Sequence, residues 1–309
     1  MDEAGQDVLD AEHDIDALGL FEPRHTAFIE RIGRLRPKLH RYCARMTGSV
    51  FDGEDVMQEA VFEAYRKLSA FDESRPLDAW LFRIAHNRCI DFLRRRESRR
   101  TAEATAFLPV STAPSEPVGR AVDRAIERLV MALPPKERAC VLLKDVFEYS
   151  NDEIADLVAS TTGGVKAALN RGRAKLAALT GAPRPPRKPS VQELELLRLY
   201  VERFNRHDWD GVRQLASADA RLCVADCFSG LLADSPYFIE YDRPILVWRM
   251  TLGEVDGETA IVILRDDSPD LTPYSAIRLR IDGGVVVSIA DYIKCPWLLD
   301  HADVAIAAS

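Results

Sequence analysis

Asp55, Gln58, Glu59 and Phe62 stand at i, i+3, i+4 and i+7. On a helix they share one face, and an acidic-aromatic stripe beside an apolar seam suits docking to a partner protein. The other reading leaves the acids in solvent and puts Phe62 in the core, and spacing does not separate the two. Downstream, seven arginines fall within residues 81–100, where Asp91 and Glu97 are the acids. Arg83, Arg88, Arg94, Arg95, Arg96, Arg99 and Arg100 exceed what the dipole of a helix C-terminus needs. They suit several phosphate contacts, with binding that weakens as salt rises. Phe71, Trp80 and Phe82 could stack on exposed bases; Trp80 also reads as a core anchor. In a third set, Lys166, Asn170 and Arg173 share a face able to approach base edges, while Arg171 and Lys175 suit phosphates.

Each set needs a helix to hold it. Phe28, Ile32, Leu35, Leu39 and Tyr42 recur at three- and four-residue intervals, which predicts a helix over 26–46 with a bend at Pro37. A second helix is expected from Asp52–Glu54 to Leu68, packing Val56, Met57, Ala60, Val61 and Ala64. After a break at Ser69–Pro76, a third carries Leu81, Ile84, Ala85, Ile90, Phe92 and Leu93. Short helices follow at 121–131 and 136–147. Ser150 with Glu153 forms a capping-box signal for a helix starting at Asn151. Thr161-Thr162-Gly163-Gly164 is the turn into a helix over 163–179. That last pair has the form of a helix-turn-helix whose second member enters a major groove.

Charge divides the 309 residues more sharply than the formal net of -8 suggests. Residues 1–23 hold eight acids and no Lys or Arg and read as an acidic flexible tail. Residues 24–190 carry a net +9 and residues 191–309 a net -9. Such a basic body can approach a polyanion while the acidic ends limit nonspecific attraction. Proline-rich linkers are read at 101–120 and 181–190. The resulting units are 24–100, 121–180 and 191–309. No signal peptide or membrane-spanning run is legible, so a cytoplasmic protein without membrane insertion is expected. Six cysteines without a CxxC pair make no disulfide framework.

In the first two units the motifs resemble a bacterial sigma factor of the extracytoplasmic-function group, in the sigma-70 family. The passage Asp52-Gly53-Glu54-Asp55-Val56-Met57-Gln58-Glu59-Ala60-Val61-Phe62 is similar to the polymerase-binding helix of region 2. Pro76 through Arg88, continuing into Ile90-Asp91-Phe92-Leu93-Arg94-Arg95-Arg96, is similar to the promoter-melting segment. Leu133-Pro134-Pro135-Lys136-Glu137-Arg138 and Gly163 through Arg173 are similar to region 4. The resemblance implies that Asp55, Gln58, Glu59 and Phe62 bind core RNA polymerase. It implies that Ser69, Phe71, Arg75, Trp80, Arg83, Asn87, Arg94 and Arg95 engage the -10 promoter element, the loop at Ser69–Arg75 receiving a flipped base. Thr162, Lys166, Asn170, Arg171, Arg173 and Lys175 are implied at the -35 element. Gly163-Gly164, where many relatives start the helix with more polar residues, departs from the pattern. No cofactor and no catalytic group is implied.

Residues 191–309 read differently. An amphipathic helix over 191–206 and a short one to Leu215 precede strand-like segments at Ala220–Ala225, Pro244–Leu252, Glu258–Leu264, Tyr274–Ile281 and Val285–Ile289. Asp282-Gly283-Gly284 is a hairpin signal. The passage Tyr200 through Asp210 resembles the cone-shaped fold of polyketide-cyclase-like and nuclear-transport-factor-like domains. The expected fold class is therefore two all-α sigma domains followed by an α+β cone with a curved sheet. The resemblance implies a regulatory role for the cone, with a small molecule or a protein as its candidate ligand. Asp226, Asp291 and Tyr292 are candidate cavity groups for an enzymatic alternative, a cyclase or isomerase. His207 and Asp208 read more simply as helix-end caps. Metal binding is not expected: His40/Cys43, His86/Cys89 and Cys223/Cys227 lie on separate elements, short of a four-ligand site. A DNA-binding regulator that recruits no polymerase is the other alternative to an alternative sigma factor.

Overall fold

The computed structural model describes residues 23–72, 74, 76–103, 131–178, 188–242, 248–266 and 271–306. Nearly all of the acidic tail, most of both proline-rich linkers, most of the 121–131 helix and Arg75 lie outside the described residues.

Helix α1 spans Pro23–Thr47 and buries Phe28, Ile32, Leu35, Leu39, Tyr42 and Met46 along one side. It runs continuously through Pro37. Helix α2, Val50–Arg66, starts two residues before the predicted position because Ser49 caps it through the Asp52 amide. Gly53 is needed where α2 meets α1: a Cβ there would lie 2.4 Å from the Ala44 backbone. A 3-10 turn at Leu68–Ala70 leads to α3, Leu77–Glu103. Helix α4, Pro135–Val141, runs into a π turn at Leu142–Val146. Ser150 and Glu153 close the expected capping box on α5, Asn151–Leu157, which precedes α6, Thr162–Ala178.

A second capping box, Ser190 with Glu193, starts α7, Val191–Asn205; α8 is Trp209–Gln214. Strands β1, Ala216–Val224, and β2, Phe228–Leu231, precede the short α9, Tyr237–Tyr241. Then come β3, Trp248–Val255, β4, Glu258–Asp266, β5, Leu271–Asp282, β6, Val285–Asp291, and β7, Val304–Ile306. The hairpin falls where expected, with Asp282 paired to Val285 and both intervening glycines at positive φ. Strands β2 and β7 were not predicted; both are short and sit at the sheet edges.

The seven strands form one open sheet in the order β2-β1-β6-β5-β4-β3-β7, antiparallel except where β1 pairs with β6. This corrects the expected fold class: the sheet is not curled into a cone. Covered faces explain how it stays open. One face packs Leu222, Ile261, Ile263, Ile277 and Ile289 against Tyr200, Phe204 and Phe238 of α7 and α9. On the other side Val262, Ala276 and Tyr292 join Ala44, Val50 and Phe51 of α1 and α2 in a separate core. With neighbours on both faces, the sheet need not wrap around an interior of its own to remove apolar side chains from water.

Candidate functional site

The acidic-aromatic stripe on α2 is divided by what lies against it. Phe62 is 63% exposed, so it is not a core residue. Arg66 sits over its ring, and both line a groove of about 460 Å³ with Glu59, Glu63, Lys67 and Arg88. Glu59 is exposed, 3.7 Å from Arg95. Gln58 is half-buried and donates to Glu54 at 3.0 Å. Asp55, one turn earlier, is held by the sheet unit: it accepts from Tyr292 Oη at 3.0 Å and from Arg278 at 3.2 Å.

That contact belongs to an interface which sequence reasoning missed. Arg278, on β5, also reaches Asp52 at 2.7 Å and lies 3.7 Å from Glu258. Its guanidinium covers the Phe51 ring, which packs on Tyr292. Beside it, Glu54 is fully buried yet accepts from Trp297 Nε1 at 2.8 Å and from the Cys295 thiol at 3.3 Å. Burial is the main cause that pushes the Cys295 thiol up, with Glu54 adding to it. Ser49 donates to Glu258, and Arg45 pairs with Asp256 at the far end. The legible signal was an arginine among the apolar residues Ala276, Ile277 and Leu279 of one strand, together with a cluster of acids, Asp52, Glu54, Asp55 and Glu59, in a distant segment.

The basic end of α3 is exposed. Arg83, Asn87, Arg94 and Arg95 are exposed on α3, and Ser69 is exposed on the 3-10 turn before it. Phe71 and Trp80 are half-buried and pack together with ring centroids 4.7 Å apart, so Trp80 combines an anchoring contact with partial access. Phe82 corrects the stacking expectation: it is 1% exposed, packed against Tyr42, Phe147 and Tyr149. His86 is buried beside Asn87, bonded to Tyr42 Oη at 2.9 Å, and burial lowers its pKa to about 4. A cleft of about 570 Å³ runs from His86, Asn87, Arg88 and Arg94 to Lys136 and Val158 across the way. The α4–α6 helices therefore pack directly on α1–α3. Lys38 reaches both Phe82 and Tyr149, and Arg138 donates to the Met46 carbonyl at the end of α1.

On α6, Val165, Ala168, Leu169 and Gly172 face inward. Lys166, Asn170 and Arg173 are exposed along one side, as the spacing predicts. Arg173 is already paired with Asp145 at 2.5 Å, and Arg171 and Lys175 with Glu137 at 3.0 and 2.8 Å. Thr162 is half-buried and donates to Asp152 at 2.7 Å.

The candidate cavity groups of the sheet unit do not converge. Asp291 and Tyr292 are adjacent on an extended backbone and point to opposite faces. Asp291 is buried under the hydroxyls of Tyr237 and Tyr241, at 2.7 and 2.6 Å, and burial raises its pKa. Tyr292 turns toward Asp55, and Asp226 pairs with Arg36. Asp208 caps the Gly211 amide of α8, in keeping with a helix-end role, whereas the His207 ring bonds Asp242, at the C-terminal end of α9, at 2.9 Å. Among the described residues Glu54, Asp226 and Cys295 bring potential ligand atoms within 4.8 Å of one another. Arg36 already supplies positive charge there, and three mixed donors fall short of a closed four-ligand site.

Comparison with known proteins bears on the same helices. Residues 32–99 match sigma-70 region 2 and residues 123–176 match sigma-70 region 4. The chain is 31% identical over 213 residues to the ECF RNA polymerase sigma factor SigG of Mycobacterium tuberculosis, covering 60% of this chain and 58% of that one. The chain thus spans little more than half of that relative's length. It is 31% identical over 162 residues to the ECF RNA polymerase sigma factor SigW of Bacillus subtilis, covering 48% of this chain and 87% of SigW. Among solved structures, the sigma factor RpoE bound to the anti-sigma factor NepR, from Bartonella quintana, aligns with TM-score 0.42 and 20% identity. That alignment covers 49% of this chain and 95% of RpoE. No described helix is long and apolar enough to cross a membrane. With both regions matched in order and most of SigW spanned, the chain belongs to the ECF family of RNA polymerase sigma factors and carries an additional C-terminal α+β unit.

Proposed function

We propose that this chain initiates transcription by binding core RNA polymerase through α2, reading a -35 element with α6 and a -10 element with the Ser69–Arg75 loop and α3, under control of its sheet unit. Family membership is consistent with a regulatory protein that carries out no catalysis of its own. The observation that carries the proposal is the division of α2. Glu59 and Phe62 are exposed, met by Arg95 and Arg66 of the same helical unit, while Asp52, Glu54 and Asp55 on the same helix are gripped by Arg278, Tyr292, Cys295 and Trp297 of the sheet unit.

A polymerase surface that uses the whole stripe must displace that grip, so the sheet unit acts as a built-in competitor. The packing of α4–α6 on α1–α3 adds a second restraint, because region 4 borders the cleft that contains Asn87 and Arg94. Duplex recognition needs a helix in the major groove and melting needs captured single-stranded bases, which favours separating the two helical units on promoter DNA. In transcription reconstituted with core polymerase on a promoter library, the full chain should give specific start sites, and Arg278→Ala should raise their yield. Absence of start sites from both proteins, with folding intact, would reject the proposal. A fall in yield with Arg278→Ala would make the sheet unit an activator.

A further inference from the structure

Two basic residues of α6 do not hang free. Arg171 and Lys175 are one helical turn apart and 56% and 50% exposed, yet both end on Glu137, whose side chain is 8% exposed. One carboxylate oxygen accepts from Arg171 Nε and the other from Lys175 Nζ. The Lys175 hydrogen bond is the main cause holding the Glu137 carboxyl below its ordinary pKa range, so it stays ionised. The backbone allows this reach because Gly172 lies between the two cations. A Cβ there would come within 2.9 Å of Val141 and 3.6 Å of the Glu137 Cβ, so the missing side chain lets α6 press onto α4.

The geometry leaves donors to spare. Arg171 spends Nε on Glu137 and retains its two terminal nitrogens; Lys175 spends one of three ammonium hydrogens. A long cation that is already oriented loses less rotamer freedom when it meets a phosphate.

We propose that Glu137 is a positioning residue for DNA backbone contact: it presets Arg171 and Lys175 as a pair of phosphate clamps on the recognition helix. This rests on the reading of α6 as the -35 helix. The competing role is charge masking, in which Glu137 merely cancels the cations, and the two roles predict opposite signs.

The test uses the full chain and Glu137→Gln, which keeps the side-chain size but cannot accept from both cations in the same way. Binding to a duplex containing the -35 element is measured across a salt series. Positioning predicts that affinity falls by about three- to tenfold and that the slope of log affinity against log salt becomes shallower by about one. In the free protein, exchange of the Arg171 Nε–H with water should be slow in the unaltered chain and fast in Glu137→Gln, at unchanged melting temperature. Tighter binding with a steeper slope would establish masking and overturn the proposal. Unchanged affinity, or unchanged Arg171 exchange, would overturn it as well. If Glu137→Gln lowers the melting temperature, Gly172→Ala serves as the second perturbation, expected to push α6 off α4 and weaken the same clamp. If the unaltered chain binds no -35 duplex at any salt, the DNA reading is wrong and the proposal falls with it, before any variant is compared.

Discussion

Trp297→Phe isolates the grip of the sheet unit on α2. The indole Nε1 donates at 2.8 Å to Glu54, a carboxylate with no exposed surface, and phenylalanine keeps most of the ring while deleting that donor. A hydrogen bond to a charged group contributes about 1.5–3 kcal/mol, and leaving a buried acceptor short of a partner is costly. If Glu54 regains water when the units separate, the loss falls on the docked state, and the separated population should rise by roughly 10- to 150-fold. Cys295 reports that population directly, because it is fully buried against Glu54 and can be alkylated only after separation. The assay is the alkylation rate at each cysteine, read by peptide mass spectrometry. Cys295 should label roughly 10- to 150-fold faster in the variant, in proportion to the open population. Cys43 and Cys89, buried within the α1–α3 core, should not change. Equal Cys295 rates would refute the argument that Trp297 holds the units together. Parallel acceleration at Cys43 would show that the substitution unfolds the chain instead.

Phe62→Ala should leave stability nearly unchanged, since the ring is largely exposed, and should weaken binding to core polymerase by about tenfold or more if it is an anchor residue; a titration with purified core measures it. Lys166→Ala and Asn170→Ala should each cost about 1–3 kcal/mol in binding the -35 duplex while nonspecific duplex binding changes less, checked by competition with an unrelated sequence. Charge reversal at Glu59 should reduce polymerase affinity, and an unaltered value would remove Glu59 from the docking face. His86 supplies a pH test: its pKa of about 4 lies below the ordinary 6.5, so the unfolded chain takes up the proton first as pH falls. The stability present above pH 6.5 should then drain away toward pH 4, by about 3 kcal/mol. His86→Gln, which preserves a partner for Tyr42, should flatten that part of a denaturation series.

Local patterns made much of the helical half legible. The periodic apolar residues of α1, the Ser150–Glu153 capping box and the exposed side of α6 all follow from interactions within a few turns of one helix. Phe82 misled because an aromatic residue type says that a ring can stack without saying what covers it; here Phe147 and Tyr149 do. The open sheet was missed for a related reason. Strand alternation predicts two faces, but the occupant of the second face is the α1–α2 pair, more than 150 residues earlier in the chain.

Residue type and short-range spacing were enough to mark the helices, the hairpin at Asp282-Gly283-Gly284, the charge segregation and the family motifs, because those depend on backbone geometry and composition. Which acids of α2 are held by the sheet unit and which stay exposed was settled only by the three-dimensional arrangement. Asp55 and Glu59 are the same chemistry one turn apart, yet Arg278 and Tyr292 reach Asp55 while Glu59 stands exposed, 3.7 Å from Arg95. The energy of a carboxylate depends on the donors and water around it. Here several of those donors come from residues more than 200 positions away.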